Sequence, residues 1–322
     1  MQKFNISTQK NLLAFSGGID STALFFLLLE QNIPFDIAIV NYHQREQAND
    51  EIIYAKELAK KYNKRCFIKD FNKKKFCEKT ARDFRYDFFD EIIKQNNYDS
   101  LITAHQLNDK LEWFLMQLTK GAGVSELIGL QPLSSRGNYI IYKPLLDVSK
   151  DQLINYLNKN NIKYFIDSTN SDEKYKRNYF RKEFSDKLIN RFSNGIKKSF
   201  KYIQNDIDTL NKLYEIKKIE KLLIGKFLID DINLMIRFID KELKQRGILI
   251  SKDTRDEIIK QKSIVISHKI AIEIIGNKVW IAPFVNEKMD KKFKERCRIK
   301  KIPPKIRGYL FGINTNKLNF DF

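Results

Sequence analysis

The sequence predicts an α/β protein: a doubly wound parallel sheet, followed by helices and a smaller α+β domain. Three observations carry that expectation. Short, almost continuously apolar segments alternate with helix-period segments up to about residue 146, which is the pattern of strands buried on both faces. A glycine bend, Ser16-Gly17-Gly18, joins the first apolar segment to the first helical one. Beyond about residue 210 the alternation gives way to helices followed by a run of strands.

Leu12 to Phe15 reads as the first strand and Ala23 to Leu29 as a helix, with Ser21 or Thr22 able to cap it. Phe35 to Asn41 is a buried strand, Asn49 to Tyr62 a helix, Arg65 to Asp70 a strand, Ala81 to Gln95 a helix and Ser100 to Ala104 a strand. Lys143-Pro144-Leu145-Leu146 closes this sheet. Ser149 then caps a helix over Lys150 to Asn160, and Ile162 to Ile166 leads into a polar loop. Ser193 to Leu222 reads as one long helical region. Helices over Asp231 to Arg246 and from Ser251 follow. Gly276-Asn277 is a two-residue hairpin turn between Ile270–Ile275 and Lys278–Ile281. The domain boundary is expected near residue 210.

The chain has 322 residues, enough for about two domains. Lys and Arg number 59 against 40 Asp and Glu, giving a formal charge of +19. Such an excess points to a polyanionic partner, nucleic acid first. Cys66, Cys77 and Cys297 form no C-x-x-C and no zinc spacing, so reduced thiols are expected. No signal-peptide core and no apolar run of membrane-spanning length is present, so the expectation is a soluble cytoplasmic protein.

The string Ser16, Gly17, Gly18, Ile19, Asp20, Ser21 carries the first chemistry. A strand, a glycine turn and a helix N-terminus make an anion seat, because unpaired N–H groups and the helix dipole both favour negative charge. The P-loop lysine is missing and an acid stands beside the presumed phosphates. Asp20 therefore reads as a Mg²⁺ ligand, since an unscreened carboxylate would repel phosphate. A structural turn that happens to be rich in glycine is the plainer alternative.

His105-Gln106-Leu107-Asn108-Asp109-Lys110-Leu111-Glu112 follows a strand and enters a helix. With His105 in the first turn, His105, Asp109 and Glu112 fall within about 60° of arc. Such a face can hold a metal or an amine, or be a solvated acidic edge. Arg82 and Arg85 lie one turn apart, as do Arg177 and Arg181, and arginine forks suit phosphate. Helix-surface pairing with Asp83, Asp87 or Glu183 competes with that reading. Asp167-Ser168-Thr169-Asn170 is a polar turn. His43 suits either adenosine contact or an ordinary loop, and His268 has no evident role. The cation-rich stretch Lys288 to Arg307 reads equally as a solvated face or an RNA-binding one.

The Ser16–Ser21 string resembles the pyrophosphatase loop of the N-type ATP pyrophosphatases. Together with Ala81-Arg82-Asp83-Phe84-Arg85-Tyr86, Thr103-Ala104-His105, Asp109, Glu112, Lys120-Gly121-Ala122-Gly123, Lys143-Pro144-Leu145-Leu146, Asp167-Ser168-Thr169-Asn170 and Arg177-Asn178-Tyr179-Phe180-Arg181, it resembles the tRNA(Ile)-lysidine synthetases over roughly residues 10–190. Where that family usually carries His, Asp, Gln, Thr and Arg, this chain has Gln106, Asn108, Lys110, Trp113 and Lys143.

The resemblance implies an adenine nucleotide α-hydrolase-like catalytic domain with a helical extension over 1–210 and a small tRNA-binding domain over 211–322. It implies a ligase that joins free lysine to C2 of the wobble cytidine of a CAU-anticodon isoleucine tRNA, spending ATP to AMP and pyrophosphate. Ser16 to Ser21 would cradle ATP, with Mg²⁺ on Asp20. Asp109 and Glu112 would hold the lysine ammonium, His105 would lie near the nucleotide, and Arg82 and Arg177 would hold phosphates or a carboxylate. Oligomeric state stays open, a homodimer included. Cytidine thiolation by a related enzyme is the runner-up, against which stands the missing C-x-x-C; GMP or NAD synthesis and a non-catalytic ATP- or RNA-binding protein rank lower.

Overall fold

The computed structural model describes residues 3–43, 47–72, 77–166 and 176–313. The chain divides into two compact units, Met1–Gln204 and Asn205–Phe322.

The first unit holds a six-stranded sheet of β1 (Asn11–Ala14), β2 (Asp36–Asn41), β3 (Cys66–Asp70), β4 (Ser100–Ile102), β5 (Leu133–Arg136) and β6 (Tyr139–Tyr142). The order is β3-β2-β1-β4-β6-β5. All neighbouring pairs are parallel except β5 with β6. The short hairpin that adds β5 as an antiparallel edge is absent from the sequence reading, because Leu133-Ser134-Ser135-Arg136 is polar and mostly exposed. Alternate residues bury to opposite sides. Leu13, Ile37, Ile39 and Ile102 pack with α1 (Ile19–Glu30), α2 (Gln47–Lys61) and α6 (Lys150–Lys159). Leu12, Ala38, Val40 and Leu101 pack with Phe88, Phe89, Ile92 and Ile93 of α3 (Glu78–Asn96). Both faces are covered, so the strands read as continuous apolar runs. The strand order reverses between β1 and β4, the place where open α/β sheets form a crevice at their carboxyl ends.

Helix α4 (Leu107–Leu118) follows β4, and α5 (Val124–Ile128) precedes β5. Ser149 caps α6 as expected, in a reciprocal capping box with Gln152. Late in the unit, α7 (Lys176–Phe180) runs through a π-helical turn, Arg181–Ser185, into α8 (Asp186–Asn211).

The second unit is a five-stranded antiparallel sheet, β7 (Tyr214–Ile219), β8 (Leu222–Phe227), β9 (Ser263–Ile266), β10 (Ile270–Ile275) and β11 (Lys278–Pro283), in the order β7-β8-β11-β10-β9. Ile270, Ile272, Ile274, Val279 and Ile281 pack on α9 (Ile232–Gln245) and α10 (Lys252–Gln261). Ala271, Trp280 and Ala282 pack on α11 (Lys291–Ile299) and α12 (Pro304–Gly312). Gly276, at φ +54°, makes the expected hairpin turn.

The long helical region expected to reach Leu222 ends at Asn211; β7 occupies most of its last third, and β8 begins at Leu222. Edge strand β7, Tyr-Glu-Ile-Lys-Lys-Ile, is rich in lysine and half exposed, so its apolar periodicity is too weak to mark a strand. Helix α1 also starts earlier than expected. Gly18 is its N-cap, and Ser21 and Thr22 lie inside the first turn.

Candidate active site

A cleft of about 720 Å³ opens at the carboxyl ends of β1 and β4. Ser16, Gly18, Ile19, Asp20 and Ser21 line it from the first bend, Thr103, Ala104, His105 and Asp109 from the second, Arg82 and Arg85 from α3, and Arg177 and Arg181 from the α7 region. Most of the residues singled out from sequence therefore meet in one place. Gly17 and Glu112 support that place from behind and do not line it.

The glycine bend is tied to itself. The Ser16 N–H donates to Ser21 Oγ at 3.2 Å, and the two serine hydroxyls lie 3.0 Å apart. Gly17 adopts φ +73°, which strains any residue with a side chain. Phe165 braces the bend: its N–H donates to Gly17 O at 3.0 Å, and it forms a parallel bridge with Gly18. Gly18 caps α1 without a side chain, so the helix start has no internal acceptor for its first amides. Amides at a helix start with no side-chain acceptor are the geometry that an anion seat requires.

Asp20 stands in the first turn of α1. Its Oδ1 is buried and has no hydrogen-bond partner among the described residues. Burial, with the nearby charge of Asp109 adding to it, pushes the carboxyl up to about 7. A buried carboxylate oxygen lacking a partner fits a Mg²⁺ ion, which takes one or two carboxylates and completes its shell with water and phosphate. No cluster of three or more His, Cys, Asp or Glu groups is present among the described residues, as such phosphate-completed sites require none.

His105 lies just before α4, not in its first turn, because Gln106 takes the cap. Gln106 Oε1 accepts from Asn108 N at 2.6 Å, and the Gln106 N–H donates to Asp109 Oδ2 at 3.1 Å. The His105 Nδ1 lies 3.0 Å from Thr103 Oγ1, and burial lowers the imidazole to about 4, so it is neutral at physiological pH.

Asp109 and Glu112 share two guanidinium groups. Arg181 donates to Glu112 Oε2 through Nε at 2.9 Å and to Asp109 Oδ1 through Nη2 at 3.2 Å. Arg177 donates through Nε to Glu112 Oε1 and through Nη2 to Asp109 Oδ1 at 3.4 Å. Burial opposes the Asp109 carboxylate, but the flanking positive charges outweigh it and hold the group below its usual range. Burial pushes Glu112 up, against the same two arginines. Arg82 stacks its guanidinium 5.1 Å from the Tyr86 ring. Neither Arg82 nor Arg85 has a salt-bridge partner among the described residues, so the helix-surface pairing expected as an alternative for them is not formed.

Lys110 is not in the cleft. Its ammonium lies 4.7 Å from the Phe200 ring of α8, and burial lowers its pKa. Lys143, buried, donates to Ser134 Oγ at 2.9 Å; burial and the charge of Arg82 bring it down to about 8. His43 contacts Asp70 at 2.7 Å and does not reach the cleft. His268, at φ +55°, sits in the turn before β10. No cysteine lines the cleft: Cys77 caps α3, Cys297 is buried under α12, and Cys66 is in β3. The Asp167–Asn170 turn lies outside the described residues. Lys150, Phe165 and Asp186 also line the cleft and escaped the sequence reading, since nothing in their local patterns distinguishes them from surface residues.

The PP-loop domain family model matches residues 1–188. The chain is 43% identical over 315 residues to the tRNA(Ile)-lysidine synthase of Campylobacter jejuni (strain RM1221), covering 97% of this chain and 96% of that protein. The Helicobacter hepaticus tRNA(Ile)-lysidine synthase is 42% identical over 352 residues, with 96% and 83% covered. That of Helicobacter pylori (strain 26695) is 40% identical over 317 residues, with 97% and 93% covered. With the glycine bend, the capped His105 turn and the paired arginines meeting at one sheet end, the chain belongs to the tRNA(Ile)-lysidine synthase family of PP-loop proteins.

Proposed function

We propose that this chain makes lysidine: it adenylates O2 of the wobble cytidine in a CAU-anticodon isoleucine tRNA and replaces that oxygen with the ε-amine of free lysine. ATP leaves as AMP and pyrophosphate. The observation that carries the mechanism is the meeting of the glycine bend, Asp20, Asp109, Arg177 and Arg181 in one cleft, with Glu112 holding the two arginines from behind.

A carbonyl oxygen is a poor leaving group, so it must first be joined to the α-phosphorus, with pyrophosphate departing. The amides at the start of α1, with the Ser16 and Ser21 hydroxyls, receive the charged phosphates. Asp20 would hold Mg²⁺, which when bound neutralises charge on the departing pyrophosphate. Arg82, with no acid holding it among the described residues, is placed to take a phosphate or the substrate carboxylate. Neutral His105, on the cleft wall, would face the nucleotide as a hydrogen-bonding group without charge.

The second step needs a free amine. Lysine is deprotonated in only about one molecule in two thousand at pH 7. Asp109, on the cleft wall and kept ionised, would orient the lysine amine, while Glu112 behind it fixes the two guanidiniums. Phosphate-facing cations come from Arg177 and Arg181, kept in place by that pairing.

In the second unit, Lys291, Lys292, Lys294, Arg296 and Arg298 of α11 are exposed, while Phe293 and Cys297 face the core. That stripe suits a tRNA backbone. No helix among the described residues is long and apolar enough to cross a membrane, and a cytoplasmic setting forms part of the proposal. The absence of any cysteine from the cleft favours lysine ligation over thiolation.

The decisive experiment incubates the chain with ATP, labelled lysine and CAU-anticodon tRNA. Label fixed to RNA with stoichiometric AMP is expected; ADP as the product, or sulfur in the nucleoside, would refute the assignment.

A further inference from the structure

We propose that Asp186 is a second carboxylate of the divalent-cation site and that Asn108 positions it. The inference rests on the reading of Asp20 as a cation ligand.

Asp186 lines the same cleft as Asp20, and its charge bears on that carboxyl. It is not where an α-helix would put it. Five residues at 100° each would swing it roughly 140° away from Arg181. Instead Arg181–Ser185 is a π-helical turn in which the Asp186 N–H donates to Arg181 O, five residues back. The extra residue brings Asp186 round over Arg181, onto the cleft face. Such insertions concentrate at functional sites because they re-aim side chains at a cost in helix geometry.

The carboxylate is then locked. Buried Asn108 donates from Nδ2 to Asp186 Oδ1 at 2.7 Å, and its own Oδ1 accepts from the Lys150 N–H at 3.2 Å. One amide thus ties α4, α6 and α8 together at the cleft wall. Asp186 Oδ2 has no hydrogen-bond partner among the described residues. A fixed carboxylate with one oxygen to spare thus lines the same cleft as Asp20 Oδ1, which is buried and without a hydrogen-bond partner among the described residues. Two carboxylates plus phosphate oxygens and water are the ordinary shell of a hard divalent cation.

The test measures Mn²⁺ binding to the full chain with a non-hydrolysable ATP analogue, by titration with electron paramagnetic resonance. Asp20→Asn and Asp186→Asn should each weaken Mn²⁺ at least tenfold, and Asn108→Leu should weaken it by a smaller factor while Mn²⁺-free analogue binding is retained. A folded Asp186→Asn protein with native Mn²⁺ affinity overturns the inference and leaves Asp20 standing. Native affinity in Asp20→Asn sinks the parent reading instead. Iron-directed oxidative cleavage of the wild-type chain needs no variant. Cuts near both 20 and 186 support the pairing; cuts near 20 alone overturn it.

Discussion

Arg181 holds Glu112 through Nε at 2.9 Å, and Glu112 is almost completely buried with a second guanidinium on its other oxygen. Removing the acid leaves two partly buried cations with Asp109 alone between them; removing one arginine leaves the acid half satisfied. Glu112→Ala should therefore cost about 3 kcal/mol of stability and raise the lysine requirement at least tenfold, read by chemical denaturation and by lysine saturation kinetics. Asp109→Ala should raise the lysine requirement at least as much. Wild-type turnover in either variant would refute the assigned roles. Arg181→Lys should not rescue, since one ammonium cannot reach both carboxylates with the fork geometry.

Asp20 and His105 should give opposite pH slopes. Asp20 ionises at 3.8 in the unfolded chain and near 7 when folded, so the folded state holds the extra proton between these values and stability falls as pH rises through them. His105 titrates at 6.5 unfolded and near 4 folded, so here the unfolded state holds the extra proton and stability falls as pH drops through that window. Asp20→Asn should raise Tm at pH 7.5 and leave it unchanged near pH 3.5. His105→Asn should flatten the loss of Tm between pH 6.5 and 4. Parallel profiles for the two variants would contradict both environments.

Charge reversal on α11 tests the second unit. Replacing Lys291, Lys292 and Lys294 with Glu should weaken tRNA binding at least tenfold and reduce the salt slope by about 0.9 for each phosphate that is no longer neutralised. ATP-analogue affinity should not move. An unchanged salt slope in filter binding would remove α11 from the RNA-binding surface.

Two glycines should respond in opposite directions to the same change. A Cβ at Gly308 would stand 2.0 Å from Val285 O, a backbone atom that cannot step aside. Gly308→Ala should cost about 3 kcal/mol. A Cβ at Gly195, inside α8, meets nothing within 4 Å. Gly195→Ala should stabilise by about 0.5–1 kcal/mol through helix propensity and a less flexible unfolded chain. Denaturation curves of the two variants decide it.

The sheet of the first unit was legible because strands covered on both faces carry unbroken apolar runs, as Phe35 to Asn41 does. The glycine bend was legible because its residue types have few other uses. Strand β7 was not, since a lysine-rich edge has no apolar period to detect. His105 was placed inside its helix, whereas it stands two residues before the first helical position, because a glutamine cap is rare enough to be read as a helical residue. Asp186 and Lys150 were missed for a different reason. Their chemistry depends on neighbours such as Asn108, dozens of residues away, and on a π-helical turn with no signature in composition.

The Phe165 N–H bond to Gly17 O joins the beginning of the chain to a point halfway along it. A polypeptide emerging from the ribosome would expose the glycine bend early but could not brace it until residue 165 had left the exit tunnel. Competence to hold nucleotide is thus gained only after more than half of the chain has been made. Stalled nascent chains ending before that point should therefore bind ATP analogues poorly, even with their phosphate-binding residues already made.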